Sequence, residues 1–121
     1  MTIKVGINGF GRMGRLGFRA AWGSEDIEFH QVNEISCDAQ ASAHLLKFDS
    51  VHGKFRAKCN AEGDAMFVDG QCIRYTSNEP IGDTDWSECD IVVESSGRFR
   101  KPEQLQAYFD PGGYKVVGAA R

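Results

Sequence analysis

The chain has 121 residues, with 14 Lys+Arg against 17 Asp+Glu and a formal net charge of −3. That length suits a single domain with one real core, and 41% hydrophobic with 26% charged residues argues against disorder. The slightly acidic balance leaves no electrostatic footprint for duplex nucleic acid. No apolar run approaches the ~20 residues that span a bilayer, and Met1–Gly6 lacks the pattern of a signal peptide. The expectation is a cytoplasmic, soluble domain over residues 1–121, with neither nucleic acid nor membrane as a partner.

In chain order, Ile3 to Asn8 alternates and is rich in β-branched residues, which predicts a strand. Gly9 to Gly14 is a turn. From Arg12 to about Trp22, residues Met13, Leu16, Phe18, Ala20 and Ala21 suit a helix packed on a sheet, ending at Gly23-Ser24. Gly17 inside that helix costs about 1 kcal/mol relative to Ala, so a close approach to a strand is its expected use. Ile27 to Val32 reads as a second strand, and Asp38 as the N-cap of a helix through Leu45, Leu46 and Lys47.

The next stretch alternates in short pieces: Phe55–Cys59, Ala65–Val68 and Cys72–Thr76, broken at Glu62-Gly63-Asp64 and Asp69-Gly70. Asp-Gly between β-prone runs predicts a hairpin, and the stretch reads as an antiparallel insertion. Cys89 to Glu94, centred on Ile91-Val92-Val93, reads as a parallel strand covered on both faces. A helix is expected after Lys101-Pro102-Glu103, ending near Pro111-Gly112-Gly113, and a last strand over Tyr114–Val117. Strands alternating with helices imply an α/β fold with a parallel, helix-covered sheet.

Cys37, Cys59, Cys72 and Cys89 contain no Cys-x-x-Cys pair, and His30, His44 and His52 show no ligand spacing with them. They read as four free thiols serving as small apolar residues, with no metal site.

The chemistry lies in Val5-Gly6-Ile7-Asn8-Gly9-Phe10-Gly11-Arg12-Met13-Gly14-Arg15, where G-x-G-x-x-G falls on Gly9, Gly11 and Gly14. The pattern follows a predicted strand, opens a predicted helix, and is followed by a second strand and Glu34. Together these form the dinucleotide-binding fingerprint. Gly9 permits the tight turn, Gly11 has no Cβ to obstruct a pyrophosphate, and Gly14 lets helix and strand pack closely. The free N–H groups and dipole of the helix start would receive the phosphate charge. Glu34 would accept from the adenosine ribose hydroxyls and repel a 2′-phosphate, favouring NAD over NADP.

Val5–Arg15 resembles the amino terminus of glyceraldehyde-3-phosphate dehydrogenases. Lys47-Phe48-Asp49-Ser50-Val51-His52-Gly53-Lys54-Phe55 and Glu94-Ser95-Ser96-Gly97-Arg98-Phe99 resemble two further segments of that family. The resemblance covers essentially the whole chain but only about the first third of a family member. It implies a Rossmann-like parallel sheet with helices on both faces and an inserted antiparallel hairpin region, incomplete at the C-terminus. It also implies a cofactor-binding set of Gly9, Phe10, Gly11, Arg12, Met13, Gly14, Asn33, Glu34, Ser96, Gly97 and Phe99, with NAD as cofactor. Arg12 and Met13 would offer backbone amides to the pyrophosphate, and Asn33 and Glu34 would lie beside the adenosine ribose. Ser96, Gly97 and Phe99 would border the adenine and centre of the cofactor. Ala119 stands where the family usually has a serine, and Arg121 where a proline is typical.

The family's cysteine nucleophile and histidine base lie in segments this sequence does not contain. NAD binding without turnover is therefore expected of the chain alone. An alternative is a non-catalytic interaction module that retains the Rossmann fold. Exposed sheet surface would then pair with a second copy or with a dehydrogenase subunit. His52 reads as a structural loop residue, and Arg98, Arg100 and Lys101 as a solvated helix entry. Phe18, Trp22 and Phe48 read as core or interface residues.

Overall fold

The structure, a computed structural model, describes residues 2–49, 53–79 and 84–96 and the backbone of Lys115–Gly118. The elements in order are β1 (Ile3–Asn8), α1 (Arg12–Ala21), β2 (Ile27–Asn33), α2 (Ala39–Lys47), β3 (Phe48–Asp49) and β4 (Gly53–Lys54). Then come β5 (Cys59–Glu62), β6 (Ala65–Val68), β7 (Gln71–Thr76), β8 (Ile91–Glu94) and β9 (Lys115–Gly118). Seven strands form one sheet in the order β5-β6-β7-β2-β1-β8-β9, and β3 pairs with β4 alone. β1 runs parallel to both β2 and β8. The chain thus leaves β1 toward β2 and later returns to its other side at β8. That reversal makes the carboxyl end of β1 a topological switch point, the place where open α/β sheets hold ligands.

Position 75 and its neighbours belong to this main sheet. β7 lies parallel to β2, while β5 and β6 extend the sheet antiparallel beyond it. The predicted hairpin region is therefore an extension of the parallel sheet, whose third strand is β7. The expected strand over Phe55–Cys59 forms only from Cys59. The Lys47 ammonium donates to Phe55 O (2.8 Å) and Ala57 O (2.6 Å), and these side-chain bonds occupy carbonyls that a ladder would need.

A β-bulge aligns the core. Val5 pairs with Phe29 but Gly6 pairs with Gln31, so His30 is the extra residue of β2. Strict alternation would send Phe29 and Val32 to opposite faces. With the bulge, Phe29 pairs with Val5 and Val32 with Ile7, and all four enter one core. The Gln71 amide donates to Phe29 O (2.9 Å), occupying a carbonyl at the bulge.

On that face Phe18 is fully buried, stacked on Phe29 with centroids 4.2 Å apart and edge-on to Phe10 at 5.8 Å. α2 is capped as the sequence predicts, Asp38 accepting from Ala41 N at 2.8 Å, and it buries Ala39, Ala43 and Leu46. Arg19 of α1 donates to Leu46 O (2.9 Å) and Lys47 O (3.0 Å) at the end of α2, so both described helices lie on this face. The opposite face is covered by residues 84–90, where Trp86 is buried against Gly6; a Cβ there would lie 2.6 Å from its ring. The helix expected after Lys101 lies outside the described residues, as do His52, Arg98, Arg100, Ala119 and Arg121.

Two expectations are corrected. Among the described residues a Cβ at Gly17 would meet nothing within 4 Å, so this glycine makes no close approach to a described strand. β8 is less covered than expected. Val92 and Glu94 are buried, but Ile91 and Val93 are only half-buried and line an open apolar cleft of about 530 Å³ with Val5, Ile7, Leu16 and Phe29.

Since Gly17 carries a helical cost without a packing use, Gly17→Ala should raise unfolding stability by up to about 1 kcal/mol, read as a higher urea midpoint. Tyr75 gives a pH prediction. Its hydroxyl lies 2.6 Å from Ser42 Oγ and donates to Cys37 O at 2.7 Å, and burial pushes its pKa up to about 12 from 10.0. The folded pKa is the higher one. This contribution to stability is therefore complete below pH 10 and is lost as pH rises toward about 12. An ultraviolet phenolate titration should show a late-ionising component that is lost in Tyr75→Phe.

Candidate functional site

The carboxyl ends of four neighbouring strands place a row of polar residues in register. Glu94 of β8 pairs with Asn8 of β1, Asn8 with Asn33 of β2, and Asn33 with Thr76 of β7. Above this row the chain leaves β1 through the glycine turn. Gly9 has φ +98, a region that strongly favours glycine. A Cβ on Gly9 would lie 2.4 Å from the Ser96 backbone, and one on Gly14 would lie 2.4 Å from Gly9 O. The Ser95 hydroxyl donates to the same Gly9 carbonyl at 2.6 Å, and Ser95 N donates to Asn8 O at 2.8 Å. Gly9 and Gly14 are thus consumed by close packing inside the protein.

Gly11 differs. It is the N-cap of α1, and among the described residues a Cβ there would meet nothing within 4 Å. No side chain caps α1, and its first turn contains no acidic residue. A capping side chain contributes about 0.5–2 kcal/mol at such a position, so α1 forgoes that stabilisation and presents backbone N–H groups and the positive end of its dipole. Arg12 and Met13 are exposed in this first turn. The Arg12 guanidinium is 4.0 Å from Asp49 and half exposed, a pairing worth about 1 kcal/mol or less. The backbone, more than this ion pair, defines the electrostatics here.

Beside the turn is a cleft of about 210 Å³ lined by Asn8, Gly9, Gly11, Asn33, Glu34 and Ser96, with Ile35, Ser36, Asn78, Glu79 and Ser95 completing its walls. The larger apolar cleft on the α1 face lacks such convergent polar groups. Glu34 is half-buried; it accepts from Phe10 N at 2.6 Å and from Ser36 N at 2.9 Å. Each carboxylate oxygen retains a lone pair after one such bond, so the group can still accept from hydroxyls. Phe10 turns its ring into the core and gives its N–H to Glu34.

Asn33 is 2% exposed and bonded within the protein. Its Nδ2 donates to Asn8 Oδ1 (2.9 Å) and Asn78 O (2.8 Å), and its Oδ1 accepts from Thr76 Oγ1 (2.6 Å) and Asn78 N (2.9 Å). Asn33 therefore builds the wall on which Glu34 stands. Gly97 and Phe99 lie outside the described residues.

Asn8 and Ser95 could have been picked out from their places beside the first glycine and in the Glu94–Ser95–Ser96 segment. Asn78 and Glu79 carry no local signal, because they reach the cleft only through the pairing of β7 with β2.

The sheet order and the glycine turn define a Rossmann-like α/β domain. The chain matches the family described as glyceraldehyde 3-phosphate dehydrogenase, NAD binding domain, over residues 3–102, and it belongs to that family. It is 48% identical to glyceraldehyde-3-phosphate dehydrogenase 3 of Nostoc sp., over 99% of this chain and 36% of that protein. It is 45% identical to the glyceraldehyde-3-phosphate dehydrogenase of Geobacillus stearothermophilus, again over 99% and 36%. Against the cytosolic enzyme of Trypanosoma brucei brucei it is 43% identical over 97% of this chain and 36% of that protein. The chain thus spans about a third of the length of these relatives.

The two packed glycines set a stability test. Gly9→Ala places a side chain at positive φ and Gly14→Ala drives a Cβ into a carbonyl. Each should destabilise the fold by about 2 kcal/mol or more, read by thermal or urea denaturation.

Proposed function

We propose that this chain is the NAD-binding part of a phosphorylating aldehyde dehydrogenase of the glyceraldehyde-3-phosphate type, binding the cofactor without turning over substrate on its own. The observation that carries this reading is the combination at Gly11: an uncapped helix start with open space where a side chain would otherwise stand. A diphosphate suits that space, because the N–H groups of Gly11, Arg12 and Met13 and the helix dipole supply hydrogen bonds and positive potential together. Glu34 would accept from the adenosine ribose hydroxyls, and its charge would disfavour a 2′-phosphate. Ser96 lines the same cleft as Glu34, and the family resemblance assigns it, with Gly97 and Phe99, to the adenine and centre of the cofactor. When bound, the nicotinamide supplies a hydride acceptor; the residues described here would hold the diphosphate and adenosine ribose of the cofactor. The substrate in this reading is a phosphorylated aldehyde, and a second copy of the chain or another dehydrogenase subunit is the expected protein partner. The setting is cytoplasmic, where four free thiols remain reduced.

Calorimetry should detect submillimolar NAD binding by the chain. Gly11→Ala, whose Cβ would meet no described atom within 4 Å, should keep the native fold and weaken NAD by about tenfold. Glu34→Ala should weaken NAD and narrow its advantage over NADP. No heat at millimolar NAD with the native fold would defeat the reading.

A further inference from the structure

Glu94 is a carboxylate at 1% exposure, beneath a cleft read above as the seat of an anionic ligand. Its Oε1 accepts from Asn8 Nδ2 at 2.9 Å. Its Oε2 accepts from Ser96 N at 2.9 Å and from the Ser96 hydroxyl. A buried polar group is costly unless hydrogen-bonded, so its placement needs a reason.

The direction of the hydrogen bonds supplies one. Asn78 N–H can only donate, so the Asn33 oxygen must face it. The Asn33 amide nitrogen then faces Asn8 Oδ1, and the Asn8 amide nitrogen is left facing position 94. The group at the end of this chain of amides must accept. It must accept again, on its other side, from Ser96 N. A carboxylate meets both demands. An amide meets one, since its NH₂ would face a donor on one side or the other. Position 94 thus couples the wall carrying Asn78 to the wall carrying Ser96, through Asn33 and Asn8.

We propose that Glu94 is a positioning residue for the dinucleotide site: its carboxylate, accepting on one side from Asn8 Nδ2 and on the other from Ser96 N, fixes the polarity of the Asn78–Asn33–Asn8 chain and holds Ser96 at the cleft wall. This rests on the dinucleotide reading above. Glu94 acts through Asn8 and Ser96, both of which line the cleft.

The same logic gives a reciprocal variant. In Glu94→Gln, the new amide opposes either Asn8 Nδ2 or Ser96 N. In the double variant Asn8→Asp/Glu94→Gln, residue 94 donates to residue 8 and its oxygen accepts from Ser96. Residue 8 still accepts from Asn33, and the net charge of the pair is unchanged. Two readouts should be taken on the whole chain: NAD affinity by calorimetry, and hydrogen exchange at the Ser96 amide without ligand. Glu94→Gln should weaken NAD by about tenfold and speed exchange at Ser96. The double variant should bring both values back to within about threefold of wild type. If Glu94→Gln leaves both readouts unchanged, or the double variant is no better than the single one, the proposal is overturned. If wild type takes up no NAD, the reading under Proposed function fails, and Ser96 exchange alone still decides the role of Glu94.

Discussion

The close approach of the β1–α1 turn to the segment following β8 is the constraint on which the rest of the structure depends. The Gly9 carbonyl is contacted from two sides, by the backbone of Gly14 and by the Ser95 hydroxyl, with no room for a side chain at Gly9 or Gly14. This contact closes β1 against β8 and aims α1 outward from the switch point. Both flanking glycines are spent on packing, so the turn leading into the open helix start is held by close contacts on either side.

The site is assembled from strand ends, with loops contributing its rim. Glu94, Asn8, Asn33 and Thr76 come from four strands and share one register row. A row of this kind puts polar groups where the sheet would otherwise bury apolar ones, and each must be satisfied by its neighbours. Asn33 makes hydrogen bonds from both ends of its amide, which ties the loop after β7 to the end of β1. A network satisfied in this way specifies a single arrangement, because reversing any one amide places donor against donor.

Beneath the site, the core is built from aromatic stacking on α1 and from the bulge in β2. Phe18 bridges Phe10, Phe29, Trp22 and Phe55, so the same helix that opens the site is anchored by the largest contacts of the core. The opposite face uses Trp86 in the space left by Gly6. That face carries a cost: among the described residues the Gln31 amide and Trp86 Nε1 are buried without hydrogen-bond partners, a cost of about 1–3 kcal/mol for each such group.

Much of this was legible in the residues. The glycine spacing located the turn, Asp38 located the start of α2, and Asp69-Gly70 located the turn between β6 and β7, because each depends on backbone preferences of a few adjacent residues. Local sequence placed Phe18 correctly on the buried face of α1, but Met13 and Ala20, expected on that face, are exposed, because the helix meets the core chiefly through Phe18. The tertiary structure alone decided that β7 joins the parallel sheet, that Gly17 has no packing role, and that Phe29 and Val32 share a face across a bulge. It also decided that Asn78 reaches the cleft and that Asn33 faces inward to Asn8. These are questions of which strands pair and in what register, and the groups that settle them lie far apart in the chain, as Asn8 and Glu94 do at 86 positions.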